Sequence, residues 1–333
     1  MTSRKLRSLV LCGMIGSIPF LLSAQQFHAA AIATQRPLLW IEPVDIKTRN
    51  LYHGPGGPAG QPHAPLTFVK EDDSGTSPKF DVRDSDGTKW KAKTGPEAQP
   101  ETVATRLLWA VGFLTNENYF LPVATIEGLP PLKRGQEFVE ENRVKGVRLQ
   151  RNKNGKRIGN WSWRRNPFQG TREFNGLRVM MALLSNWDLN DQNNAIFEGH
   201  ANPDQTLYEV SDLGASFGRS GKSYSDKITK HNFAAYRRSK FISKVTKSNV
   251  DFAFPTHPPF LYVFNLPFFL GKIRTRWIGK HIPREDARWI GSQLAQLSDA
   301  QIEDAFRAGG YSQKEADQYT AVVKSRIAEL DGL

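Results

Sequence analysis

Asp188, Asn193 and Asp212 are spaced as groups that could handle a phosphoryl group. Asn186–Phe197 reads NWDLNDQNNAIF, and Tyr208–Gly218 reads YEVSDLGASFG. Acids and amides stand beside apolar residues twice, separated by a spacer short enough for a hairpin. Phosphoryl transfer needs this inventory: one carboxylate to orient and deprotonate a hydroxyl, and an amide oxygen with a second carboxylate to hold Mg²⁺ against nucleotide phosphates. Gly214, two residues after Asp212, would let the backbone turn away sharply. The elements around the two stretches serve to hold them. Thr171 is placed to cap a helix over Phe174–Leu184, apolar on most faces and hence buried, that ends where NWD begins.

A nucleotide also needs a cation, and the spacing predicts where it comes from. Three short strand-like runs follow one another as an antiparallel meander, PLTFVK (65–70), KFDVRD (79–84) and TKWKAK (88–93), with turns at DDSGTSP and SDG. Period two puts Lys89, Lys91 and Lys93 on one face of the last run. A helix opens at Pro100-Glu101, with Val103, Leu107, Leu108 and Val111 at helical spacing. YFLPVATIEG (119–128) returns to strand character.

In this order the chain resembles the protein-kinase-like superfamily. DLNDQN matches the D-x-x-x-x-N of the catalytic loop, and SDLG matches D-F-G with leucine for phenylalanine. The resemblance implies an α+β, two-lobed fold, with a β-rich N-lobe carrying one helix and a mainly helical C-lobe. It implies Asp188 as catalytic base, Asn193 as a metal ligand and Asp212 as the principal one. Asn194 is an alternative ligand, because the doublet leaves the register open by one residue. Lys93 would contact the α/β-phosphates of ATP, with Glu101 paired to it. Glu97 is the alternative partner, since some atypical lipid and secretory-pathway kinases place this acid close behind the lysine. Gly75, in the DDSGTSP turn, would lie over the phosphates. No G-x-G-x-x-G is present, and Asn186-Trp187 stands where His-Arg would precede the aspartate. The likeness is therefore to atypical branches: type II phosphatidylinositol 4-kinases, bacterial toxin kinases and secreted kinases. The function implied is a Mg-ATP-dependent phosphotransferase acting on a hydroxyl of a protein, lipid or small molecule. A binding module that takes nucleotide or a partner without turnover, and an AMP transferase, are the alternatives.

Domain boundaries are expected at 1–24 (export signal), 25–65 (extended linker), 66–145 (N-terminal lobe) and 146–333 (C-terminal lobe). Arg4, Lys5 and Arg7 precede an apolar run from Leu9 to Leu22, and LLSAQQ offers a cleavage site after Ala24. The mature chain would be periplasmic or extracellular, or anchored if the run is not cut. Cleavage would remove Cys12, the sole cysteine, so no disulfide is expected and folding must rest on the core. HGPGGPAGQPHAP (53–65) reads as an extended arm, because its prolines remove amide donors.

The formal charge is +12, three of it in the signal. That favours anionic partners and carries no specific nucleic-acid signal. Arg143–Arg165 holds nine Lys or Arg and no acid, and reads as a hairpin with its tip at NKNGK (152–156). With Trp161 and Trp163 it is a candidate docking surface for an anionic partner. FLYVFNLPFFL (260–270) is a core or surface apolar segment. Capping boxes are expected at Ser298–Gln301 and Ser312–Glu315. The seven histidines show no metal-ligand spacing and no G-x-S-x-G occurs, so zinc hydrolase and serine esterase chemistry are not expected.

Overall fold

A computed structural model describes residues 35–333 apart from 76, 152–154, 200–201, 203, 219–230 and 255–273. The proposed signal and the 260–270 segment lie outside the described residues.

Among the described residues the fold is mixed α/β with three sheets. β1 (Arg36–Leu38) is followed by three 3₁₀ turns between Ile46 and Gly60. β2 (Leu66–Glu71), β3 (Lys79–Arg83) and β4 (Lys89–Lys93) form the expected meander. Helix α1 (Ala98–Ala110) comes next, then β5 (Glu117–Glu127), β6 (Val139–Glu140) and β7 (Arg143–Arg151). The six strands run in the order β4-β3-β2-β5-β7-β6, and β4 also pairs with β7. Five of them thus close on themselves around Phe80, Val82, Trp90, Ile126, Val147 and Leu149. Alternation explains the packing: Trp90 and Ala92 of β4 and Phe80 and Val82 of β3 point inward, with lysines and acids between them.

The second sheet holds β8 (Arg157–Gly159), β9 (Asn194–Glu198) and β10 (Gln205–Val210), with β1 parallel to β10. Helix α2 (Arg172–Leu183) precedes β9, and Thr171 Oγ1 accepts from the Phe174 amide as the cap. The remainder is α3 (Phe233–Arg238), a small sheet of β11 (Ile242–Val245), β12 (Asn249–Phe252) and β13 (Ile282–Pro283), then α4 (Arg284–Leu294), α5 (Asp299–Ala308) and α6 (Gln313–Asp331). Both expected capping boxes form, at Ser298–Gln301 and Ser312–Glu315. A large core joins α1, α2 and α4–α6 through Leu107, Val179, Ile290, Phe306 and Val323.

Three expectations are corrected. Residues 46–60 are not an extended linker: Leu51 is fully buried, and Gly54 lies where a Cβ would sit 2.3 Å from the Arg106 guanidinium. Gly54 also has φ +69°, so only glycine fits that turn. The basic stretch 143–165 is not a hairpin. β7 pairs with β4, β5 and β6, whereas β8 pairs with β9, so the chain crosses between sheets there. The two tryptophans of WSW are core residues, 3% and 2% exposed, packed edge to face at 4.9 Å. They offer no exposed docking aromatics, because the crossing strand drives them inward.

Asp84 locks the β3–β4 turn. Its carboxylate accepts from the Trp90 indole N–H at 2.8 Å and from the amides of Thr88 and Asp86 at 2.8 and 3.1 Å. Burial alone would raise its pKa. The bonds from Trp90 and the backbone outweigh burial and hold it below the ordinary 3.8. Its stabilising contribution is therefore complete above the ordinary aspartate value and is lost as pH falls through the depressed one. Asp84→Ala strands a buried indole donor and should cost about 1–3 kcal/mol in urea unfolding at neutral pH. The deficit should shrink towards acid pH, and a pH-independent deficit would show that the carboxylate is not the source.

Candidate active site

Lys93 ends β4 between two other cations. Cross-strand register sets it opposite Lys79 on one side and Arg148 on the other. Like charges facing across strands repel, so this row needs acids. Helix α1 supplies them. Glu101 spans the gap, with Oε2 accepting from Lys93 Nζ at 3.0 Å and Oε1 facing Arg148 at 3.1 Å. Glu97, one turn earlier on the same face, also pairs with Lys93. The third acid comes from the far side of the chain: Asp212 Oδ1 lies 3.3 Å from Lys93 Nζ.

The three carboxylates have oxygens within 4.8 Å of one another. Lys93, Glu97 and Glu101 are buried, while the Asp212 side chain is 43% exposed. Burial would depress the Lys93 pKa. Glu101, Asp212 and Glu97 more than offset that and hold it well above the ordinary lysine value. Lys79 is half-buried beside the same groups. Desolvation lowers its pKa, with Lys91 and Lys93 adding to the effect and Asp72 and Asp212 opposing it.

Asp212 is set by the loop that follows α2. Two residues beyond the helix, Ser185 turns the chain with a φ of +53°, and Asn186 Oδ1 accepts from the Asp188 amide at 3.1 Å. The Asn193 side-chain amide donates to the Asp188 carbonyl at 2.9 Å. The Asn193 carbonyl in turn accepts from the amides of Ser211 and Asp212, at 2.7 and 3.3 Å. Asn193 thus ties residue 188 to residue 212. Asn190 donates its side-chain amide to Asp188 Oδ1. Asn194 points the other way: it is fully buried and donates to the Trp161 carbonyl at 3.1 Å. Gly75 sits in the β2–β3 turn with φ +67°, its carbonyl accepting from Arg134 at 2.6 Å. In the same turn, Ser77 Oγ donates to Glu97 Oε2 at 2.6 Å, which brings the turn against the acid cluster.

Lys93, Glu97, Glu101 and Asp212 therefore meet directly, and Asn193 and Asp188 join them through Asp212. Several participants were not anticipated. Arg148 lies in the stretch expected to be a basic hairpin and docking surface, yet it is 3% exposed and shares Glu101. Lys79 could have been found from the meander, since antiparallel pairing sets it opposite Lys93. Arg326, far away in sequence, donates to the Leu183 carbonyl and Ser185 Oγ at 2.7 and 3.1 Å and stacks 3.9 Å over Tyr236. It pins the turn from which the Asp188 loop departs.

No family model matches the chain, and no curated protein matches it. Among solved structures, the Helicobacter pylori proinflammatory kinase CtkA aligns with 79% of this chain and 97% of its own, at 11% identity and a TM-score of 0.32. At that TM-score the likeness does not establish a common fold.

Gly214 has a different role from the turn expected of it. Its φ is not left-handed, but a Cβ there would lie 2.6 Å from Glu97 Cβ and 3.0 Å from Glu97 Cδ. The glycine exists to let α1 approach the Asp212 loop, whose Gly214 amide donates to Asp212 Oδ1 at 3.2 Å. Gly214→Ala should displace Glu97, lower stability by about 1–3 kcal/mol and weaken any ligand held by Lys93 and Asp212. Unchanged urea midpoint and ligand affinity would show that the contact yields freely.

Proposed function

We propose that this chain is a Mg-ATP-dependent phosphotransferase with a two-lobed, atypical protein-kinase-like fold. The observation that carries the reading is the 3.3 Å approach of Lys93 to Asp212, with Glu101 behind the lysine. It joins the closed sheet to the loop after β10. An ammonium and a half-exposed carboxylate then meet where triphosphate oxygens could lie, and the Asn193 backbone is bonded to the same loop.

The donor set suits Mg²⁺. Asp212 and Asn193 offer hard oxygens, and Asn193 has committed only its amide hydrogens, to Asp188. Those two residues would hold the ion, which when bound would neutralise charge on the phosphate oxygens. Lys93, fixed by Glu101, would bind the α/β-phosphates, and Lys79 extends the cationic face towards them. Asp188 would orient the acceptor hydroxyl and take its proton. The acceptor oxygen bonds to the γ-phosphorus as the bridging P–O bond breaks, and ADP leaves. Of the two candidate asparagines, Asn193 carries the ligand role, because its backbone is bonded to the Asp212 amide, whereas Asn194 is fully buried with its side-chain amide donating to the Trp161 carbonyl.

Export through residues 1–24 belongs to the same proposal. Among the described residues, no helix is long and apolar enough to cross a membrane.

Incubation with γ-labelled and α-labelled ATP tests the reaction. Label transferred from the γ position alone, dependent on Mg²⁺, is the expected result. Transfer from the α position alone would make the chain an AMP transferase. No transfer, despite nucleotide binding, would make it a binding module.

A further inference from the structure

A cleft of about 740 Å³ opens against the loop that follows Asp188. Leu189 to Gln192 form one wall, and Arg164, Arg165, Arg274 and Trp277 are among the groups opposite. Its size is that of a small-ligand site. Asn190 lines it and also donates to the Asp188 carboxylate, so the cleft begins one side chain from the candidate base.

Its charge is distinctive. Three guanidiniums face one carboxylate, Asp191, whose Oδ1 is already held by the Trp163 amide at 3.0 Å. Arg164 is braced: its guanidinium donates to the Arg274 carbonyl at 3.2 Å and stacks 5.1 Å from the Trp277 ring. Trp277 is backed by Arg178, which binds the carbonyls of Ile278 and Lys280 at 2.8 and 2.7 Å. Arg165 and Arg274 are exposed and make no ion pair among the described residues. A wall carrying two guanidiniums without an ion pair among the described residues, and a net charge of +2, matches a phosphate group, which planar forks bind bidentately.

We infer that this cleft is the acceptor subsite, and that it recognises a hydroxyl-bearing phosphate ester by its phosphate. The inference rests on the phosphotransferase reading. Arg165 and Arg274 hold the phosphate, and the ester's hydroxyl reaches past Asn190 to Asp188. A free ester and a lipid headgroup both carry such a phosphate.

Titration of the full mature chain with glycerol 3-phosphate, and flotation with phosphatidylglycerol against phosphatidylcholine vesicles, test it. Saturable binding of either glycerol phosphate form is expected, the first marking a free ester and the second a headgroup. Arg165→Glu and Arg274→Glu, both at exposed positions, should each weaken it at least roughly tenfold with unchanged melting temperature. Binding that survives both reversals, or oligoglutamate bound as tightly as glycerol phosphate, would overturn the inference, as would no binding of either form. Stabilisation of the parent chain by Mg-ATP is read separately. If it is present without ester binding, the subsite alone fails. If it is absent with ester binding intact, the nucleotide reading fails and an anion site remains.

Discussion

Asp212→Asn is expected to abolish Mg²⁺-dependent label transfer while leaving the fold about as stable as the parent chain. The two halves of that result come from different parts of the geometry. Asp212 is the half-exposed acid of the cluster, so its carboxylate is available to a cation. Losing one charge-bearing transition-state contact costs on the order of 10²–10³ in rate, and loss of the proposed metal ligand should cost at least that. Stability responds differently, because Lys93 keeps Glu97 and Glu101, and Glu101 keeps Arg148. No buried charge is left alone. A urea midpoint within about 1 kcal/mol of the parent is expected, since the contact given up is solvent-screened. Full transfer by the variant would remove Asp212 from the site. Loss of transfer accompanied by unfolding would make it a structural residue.

Lys93→Met reverses the pattern. Lys93 is 5% exposed and is the cation shared by all three acids. Removing it takes from the buried Glu97 and Glu101 the cation they share, while Arg148 stays at Glu101. Breaking a buried ion cluster from one side typically costs about 3–5 kcal/mol. The variant should thus lose both nucleotide binding and much of its stability, seen as a lowered urea midpoint at neutral pH. Protonating the stranded acids relieves the penalty, so the deficit should narrow as pH falls. A Lys93→Met chain as stable as the parent would mean that the acids are paired elsewhere.

How much of this was readable beforehand follows from the range of the interactions. The meander, the α2 cap at Thr171 and the capping boxes at Ser298 and Ser312 are local, and their spacing announced them. Lys93 was legible because strand alternation and a following acid-bearing helix constrain one another. Glu97 and Glu101 could not be separated, since both sit on one helical face, and the lysine in fact meets both. Arg148 was hidden inside a basic stretch whose middle crosses between two sheets, a property of pairing partners and not of composition. The Gly-Pro segment looked extended because its prolines forbid regular pairing. Its burial depends on Arg106, which lies on another element. Gly214 announced a turn, but its reason is the Glu97 side chain pressed against it.

Calorimetric titration of the purified chain with ATP, with and without Mg²⁺, addresses the central claim most directly. Binding of one nucleotide per chain that requires the metal, and that disappears in Asp212→Asn, is the expected result. Binding of equal strength without the metal, or none under either condition, would contradict a nucleotide site built on Lys93, Asn193 and Asp212.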